Sequence, residues 1–188
     1  MALSAARQII QEKGLDAITA RSIATQIGYS PGTLYNLFEN VDEIVLRLNQ
    51  ETLVDLAQTA EAALNNVEDP EQRLLALGRA YVAFAEEQGM RWRAIFDDRP
   101  SSNGRAKPNW YEKSIEHALG IVQRELLSYF SDQEPAMAQA SARVLWAGVH
   151  GISVLAVTGR LQGDQVSPKK MVEMLISNYV RGASVKTH

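Results

Sequence analysis

Ser30, Pro31, Gly32, Thr33, Tyr35 and Asn36 crowd into one short stretch of the chain. They supply hydroxyls, an amide and a glycine that lets a backbone come close. Such groups suit phosphates and base edges better than bond-making chemistry. Arg21 and Ser22 precede them and Tyr29 adjoins them, adding a cation and two more hydroxyls. The elements that would carry these groups are legible. Residues 19–38 read as two short helices joined by a tight turn, the second polar and aromatic on its outer face. That is the layout of a helix-turn-helix, a device for placing one helix in the DNA major groove.

Helical spacing begins upstream. Leu3, Ala6 and Ile10 recur on one face, and Gly14 supplies a stop. Thr19 is a good N-cap, with Ile18 and Ile23 at the two staple positions. Ser22 stands at N3, so a capping box there lacks its acid. Gly28 ends this helix with a left-handed residue at no steric cost. Ser30 is the next cap, and Pro31 sits at N1, where its missing N–H costs nothing. Ile23, Ile27, Leu34 and Phe38 point inward by spacing, and the small Ala24 allows close approach. Asn40 with Glu43 starts a fourth helix through Ile44, Leu48, Leu56 and Ala60 toward Leu64.

A break over 65–70 leads to a second series of helices, predicted at 71–88, 91–97, 109–130, 135–161 and 168–183. The stretch 97–108 is the longest loop, rich in turn residues. No strand alternation or internal repeat is visible, so the fold class is all-α. Residues 1–47 are expected to form a three-helix DNA-binding domain, and residues 48–188 a second helical domain, to which the family resemblance given below assigns ligand binding and dimerisation. Met1 falls close to the middle of the first predicted helix. The natural chain is therefore expected either to start unusually near the fold or to extend further.

Composition bounds the function. The chain has 188 residues, 46% hydrophobic, with a net charge of −3 and no cysteine. Disulfides and thiolate metal sites are excluded, and a cytoplasmic location is expected. No apolar run reads as approaching the ~20 residues of a membrane span, so no membrane partner is expected. Residues 1–50 carry four bases and five acids. That counts against avid DNA binding and predicts a shallow salt dependence. His117 and His150 fall on different predicted helices, and no metal-type histidine pair occurs. A glycine-rich phosphate loop and a nucleophile elbow are also missing. An enzyme is disfavoured, with no catalytic residue, metal or cofactor expected.

The run Ile23-Ala24, Gly28-Tyr29-Ser30, Gly32-Thr33-Leu34-Tyr35, Phe38 and Asp42-Glu43-Ile44 resembles the N-terminal domain of the TetR family of transcriptional regulators. The resemblance covers residues 3–47. It implies a homodimer that binds a palindromic operator and is released, or occasionally recruited, by a small molecule. Carried over by position, it puts Arg21 and Ser22 near phosphate and makes Ser30, Pro31, Gly32 and Thr33 the leading edge of the recognition helix. Tyr35 and Asn36 follow, Tyr35 against phosphate. Two positions depart from the family pattern. Tyr29 stands where valine is usual, and Val41 where lysine is usual. Tyr29 either offers its hydroxyl to DNA or packs on Leu34. The absent lysine removes a phosphate contact.

The segment Trp146-Ala-Gly-Val-His150-Gly151 is similar to the tryptophan–histidine–glycine stretch of one subgroup of these regulators. The resemblance implies a dimer interface built from 135–161 and 168–183, with Val154, Val157, Met174, Ile176 and Val180 as contacts. A largely apolar effector is expected. Tyr81, Phe84, Trp92, Phe96, Trp110, Tyr111, His117, Trp146 and His150 are the candidate pocket residues. For any one aromatic among them, plain core packing is the competing reading. The alternative to a regulator is a helical interaction module that has lost specific DNA binding.

Overall fold

Helix stops and starts fall where glycine, proline and small polar residues put them. The computed structural model describes residues 1–97, 107–131, 134–163 and 165–184. Nine α-helices occur among the described residues, and no strand. They are α1 (Ala2–Lys13), α2 (Ala20–Ile27), α3 (Pro31–Leu34), α4 (Val41–Leu64), α5 (Pro70–Glu87), α6 (Gly89–Ile95), α7 (Asn109–Tyr129), α8 (Pro135–Val157) and α9 (Pro168–Ser184). A 3-10 turn at Leu15–Ala17, not anticipated, joins α1 to α2. Most of the predicted 97–108 loop lies outside the described residues.

The chain forms two compact units. The first holds Met1–Val54 together with Met90–Ile115, and the second holds Asp55–Gly89 and the chain from Glu116 onward. The core of the first is built from small and branched side chains. Ala6, Ile9 and Ile10 of α1 pack with Ile23 and Ala24 of α2, Leu34 of α3, and Ile44 and Leu48 of α4. Ile27 and Phe38 are only partly buried against it. In the second unit α5, α8 and α9 pack on one another. Arg73 forks onto Glu125 at 2.6 and 2.8 Å, and Arg79 meets Glu173 at 2.7 Å. The Arg73 guanidinium holds the Glu125 carboxyl below the usual carboxylate range.

Four expectations need correction. The recognition segment is helical only over Pro31–Leu34, not to 38. Tyr35 to Leu37 continue as turn, closed by Leu37 N–H and Phe38 N–H donating to the Leu34 carbonyl at 3.0 and 2.9 Å. Helix α8 ends at Val157 rather than 161, because Gly159 turns left-handed at φ 72°. Helix α8 is also long and apolar enough, by length and composition, to cross a membrane. A buried core helix passes the same test, but only 28% of the most apolar part of α8 is buried. Its exposed apolar side chains include Met137, Val144, Val154 and Leu155, and α9 adds Met174. Ile176 and Val180, expected at an interface, are instead 3% and 2% exposed within their own unit.

Gly78 of α5 lies directly against α9. A Cβ there would lie 2.5 Å from Ile176 Cδ1 and 2.7 Å from Val172 Cγ1, both side chains being buried. At Gly148 of α8 a Cβ would meet only the ends of Leu175, the nearest at 2.6 Å. Leu175 is partly exposed and can swing away, whereas the branched Val172 is held. Alanine gains up to about 1 kcal/mol over glycine in a helix, and overpacking costs about 1–3 kcal/mol. Gly78→Ala is therefore expected to lower stability by roughly 1–2 kcal/mol, with Gly148→Ala near neutral. Urea unfolding of both variants checks this.

Candidate functional site

The turn of the first unit is made by local hydrogen bonds. Thr19 Oγ1 accepts from Ser22 N–H at 2.9 Å, and Ser22 Oγ accepts from Thr19 N–H at 2.9 Å. Ser22 thus completes the box that glutamate usually closes, and its own hydroxyl donates to the Ala17 carbonyl at 2.8 Å. At the other end Gly28 is left-handed at φ 75°. Tyr29 N–H donates to the Ala24 carbonyl at 2.9 Å and Gly28 N–H to the Thr25 carbonyl at 3.3 Å, a Schellman pairing. Asn40 Oδ1 accepts from Glu43 N–H at 2.8 Å, and Glu43 reaches back to Glu39 N–H at 2.7 Å. That backbone bond, then Arg47, holds the Glu43 carboxyl below its ordinary range.

With Ile23, Ala24 and Leu34 buried, the polar residues between them face out. Tyr29 and Tyr35 are 53% and 55% exposed, and Ser30, Pro31, Gly32 and Asn36 are exposed. Tyr29 thus keeps about half of its surface exposed beside α3. Ser30 occupies the N-cap position, but its hydroxyl makes no cap bond. It lies 3.1 Å from the Thr33 hydroxyl instead, so two hydroxyls are paired at the leading edge of α3. Neither is needed by the backbone. Leu37, not singled out in the sequence, is 70% exposed beside them. Its position three residues after the buried Leu34 masked it, because helical spacing assigns it inward and the chain leaves the helix first.

A shallow groove on the same unit is lined by Lys13, Thr19, Arg21, Ser22, Thr25 and Gln26, among others. Lys13, Thr25 and Gln26 were missed because the groove joins α1 to α2 across the 3-10 turn. The four cations of residues 1–50 divide cleanly. Arg7 pairs with Glu51, and Arg47 pairs with Glu43 while lying 5.4 Å from the centre of the Trp110 ring. Lys13 and Arg21 form no ion pair among the described residues. The acidic balance is thus met partly by internal pairing, which leaves two cations facing the groove. Such a surface can bind an anionic backbone through cations, hydroxyls and first-turn N–H groups.

Eight of the nine predicted pocket residues separate into two groups, one in each unit. In the first unit Trp110 and Tyr111 line a cavity of about 440 Å3 with Leu46 and Asn49 of α4. Burial pushes the Tyr111 hydroxyl up, and Asn49 hydrogen-bonds it. Trp92 is buried and tilted against Phe96, with ring centres 5.2 Å apart. In the second unit Tyr81 Oη lies 2.9 Å from His150 Nδ1, and the His150 ring stacks on Trp146 at 5.2 Å and 16°. Phe84 is buried core, and His117 is exposed on α7, apart from both groups. No cluster of three metal-ligating side chains occurs among the described residues.

A helix-turn-helix whose outer face is free of structural duty, followed by a helical unit with an apolar core, defines the class of one-chain transcriptional regulators. Residues 2–48 match the family model described as bacterial regulatory proteins, tetR family, and residues 74–179 match the tetracyclin repressor-like C-terminal domain. The chain belongs to the TetR family of transcriptional regulators. It is 23% identical over 188 residues to the HTH-type transcriptional regulator BetI of Brucella canis, covering 96% of this chain and 90% of that one. It is 30% identical over 96 residues to the HTH-type transcriptional activator FasR of Mycolicibacterium smegmatis, covering 51% and 44%. A Rhodococcus sp. RHA1 protein of unknown function shares the fold at TM-score 0.79 and 22% identity, covering 96% and 92%. The TetR family regulator PfmR of Thermus thermophilus does so at 0.67 and 18%, covering 96% and 97%.

Burial lowers the affinity of His150 for a proton in the folded chain. The unfolded chain, titrating near the ordinary value of about 6.5, takes the proton first. Stability from this group is complete above that value and is lost as pH falls below it. The wild type is expected to lose stability from pH 7 to pH 5 more steeply than His150→Gln. Urea midpoints at three pH values check the difference.

Proposed function

We propose that the chain is a homodimeric repressor that binds a palindromic operator and is released by a small, largely apolar molecule. The observation that carries the DNA part is the outward face of residues 29–36, polar, exposed and making no cap bond to the backbone. Arg21, Tyr35 and the α2 first turn hold phosphate. Ser30, Gly32, Thr33 and Asn36 approach base edges, with Pro31 fixing the entry of α3. Ser22 acts by holding the cap, and Tyr29 adds a hydroxyl at the rim. Residues 1–47 read DNA, and residues 48–188 receive the effector and the partner subunit.

The exposed apolar side chains of α8 and α9 support the dimer, since a second copy would cover them. A twofold pair would present two recognition helices roughly 34–36 Å apart, matching successive major grooves. In this reading the effector approaches Tyr81 and Trp146, which border a small apolar cavity, with His150 hydrogen-bonded to Tyr81. It works only by favouring one conformer over another, so its leverage is its differential affinity for the two. A second reading puts the effector in the 440 Å3 cavity beside Trp110, which has the size of a ligand site. Trp110→Ala separates the readings, because it blunts release only if the ligand sits there.

Selection of bound fragments from genomic DNA tests the reading. The wild type is expected to recover a shared palindrome. Tyr35→Ala and Thr33→Ala should each weaken binding by roughly tenfold, about 1–2 kcal/mol, with unfolding midpoints unchanged. Val144→Glu with Met174→Glu should sediment as a monomer and lose the palindrome. Recovery of nothing at low salt by full-length, ligand-stripped protein would leave the interaction module as the function.

A further inference from the structure

We propose that Leu37 reads thymine: its side chain rests against the 5-methyl group of a thymine in the major groove and so sets one base of each operator half-site. This rests on the reading that residues 29–36 face DNA, and it adds an apolar specificity determinant to that polar face.

Leu37 is 70% exposed, and of the large apolar side chains among the described residues only Met1 is more so. The core of its unit takes Leu34, three residues before it, and Phe38, one after. A single exposed leucine is ordinary on a protein surface, so its place decides the matter. The chain keeps turning beyond α3. Asn36 N–H donates to the Thr33 carbonyl at 3.3 Å, and Leu37 N–H and Phe38 N–H donate to the Leu34 carbonyl at 3.0 and 2.9 Å. Tyr35 is itself right-handed, at φ −72° and ψ −8°. On such a path residues i, i+3 and i+7 share a face. Ser30, Thr33 and Leu37 have that spacing, and the Ser30 and Thr33 hydroxyls lie 3.1 Å apart, side by side. Leu37 extends their row by one turn.

The side chain narrows the chemistry. Leucine neither donates nor accepts a hydrogen bond. Against a phosphate, or a nitrogen or oxygen of a base edge, it would displace water and return no bond. The major-groove edges carry one apolar group, the thymine methyl, which also tells T·A from A·T. Contact between the two removes apolar surface of both from water. Losing one methyl from such a contact lowers affinity about three- to fourfold, and a palindrome presents the contact twice. Tyr29 and Tyr35 are exposed too, but their hydroxyls suit phosphate, an option that Leu37 lacks.

The test uses the full chain and the palindrome recovered from genomic DNA, made as synthetic duplexes. Each thymine is replaced in turn by deoxyuridine, which lacks only the methyl, at both symmetric positions together. Affinities are measured by fluorescence anisotropy at one salt concentration. One thymine pair is expected at which deoxyuridine weakens the wild type about tenfold. Leu37→Ala should bind the thymine duplex that much more weakly and lose nothing further with deoxyuridine there. Tyr35→Ala should bind every duplex more weakly yet keep the full loss at that pair. Leu37→Gln, which keeps the length and loses the apolar end, serves as a second variant with the same insensitivity expected. The proposal is overturned if no thymine pair responds, or if both Leu37 variants retain the loss at the pair that does. The DNA reading fails differently: none of the proteins then binds any duplex above background at low salt, and the thymine contact falls with it.

Discussion

Everything at the DNA-reading end depends on burying one narrow face. Ile23 is fully buried, and Ala24 and Leu34 are 1% and 2% exposed. Three residues cannot turn inward on two short helices without turning the residues between them out. The alanine matters most, because a larger side chain at its place would hold α2 and α3 apart. The caps then fix the path between helices. Thr19 with Ser22 starts α2, Gly28 ends it, and Asn40 with Glu43 starts α4. Each cap contributes on the order of 1 kcal/mol. Together they set the direction of a segment too short to be stable alone.

The same economy explains how an acidic unit can face DNA. Arg7 and Arg47 are tied to glutamates of their own unit, while Lys13 and Arg21 remain beside the first turn of α2. Net charge therefore understates the local field, because paired charges largely cancel at a distance. The Ser30 and Thr33 hydroxyls are held by each other rather than by the backbone.

The second unit is organised around small residues and few polar groups. Gly78 lets Val172 and Ile176 of α9 close on α5. Tyr81, His150 and Trp146 form a polar and aromatic chain inside an otherwise apolar wall. Burial disfavours the protonated form of the histidine, whose Nδ1 hydrogen-bonds the Tyr81 hydroxyl. Helix α8 is apolar on more faces than its own unit covers, and this is the physical ground for expecting a second copy against it.

By itself the sequence determined the helical class, the caps and turn residues around α2, and the outward set of the helix-turn-helix. Helical spacing, glycine turns and caps are local, so neighbours along the chain suffice to read them. Only the tertiary structure showed that α3 is a single turn, that Ser22 does the work of an acid, and that Leu37 stands exposed. These depend on where the chain leaves the helix, which local pattern does not encode. The pocket aromatics make the same point more strongly. As sequence they form one cluster, yet Trp92, Phe96, Trp110 and Tyr111 belong to the first unit and Tyr81, Phe84, Trp146 and His150 to the second. Packing between residues far apart in the chain decides such a division, because burial rewards any apolar side chain alike. Only the assembled neighbours distinguish a filled core from a cavity.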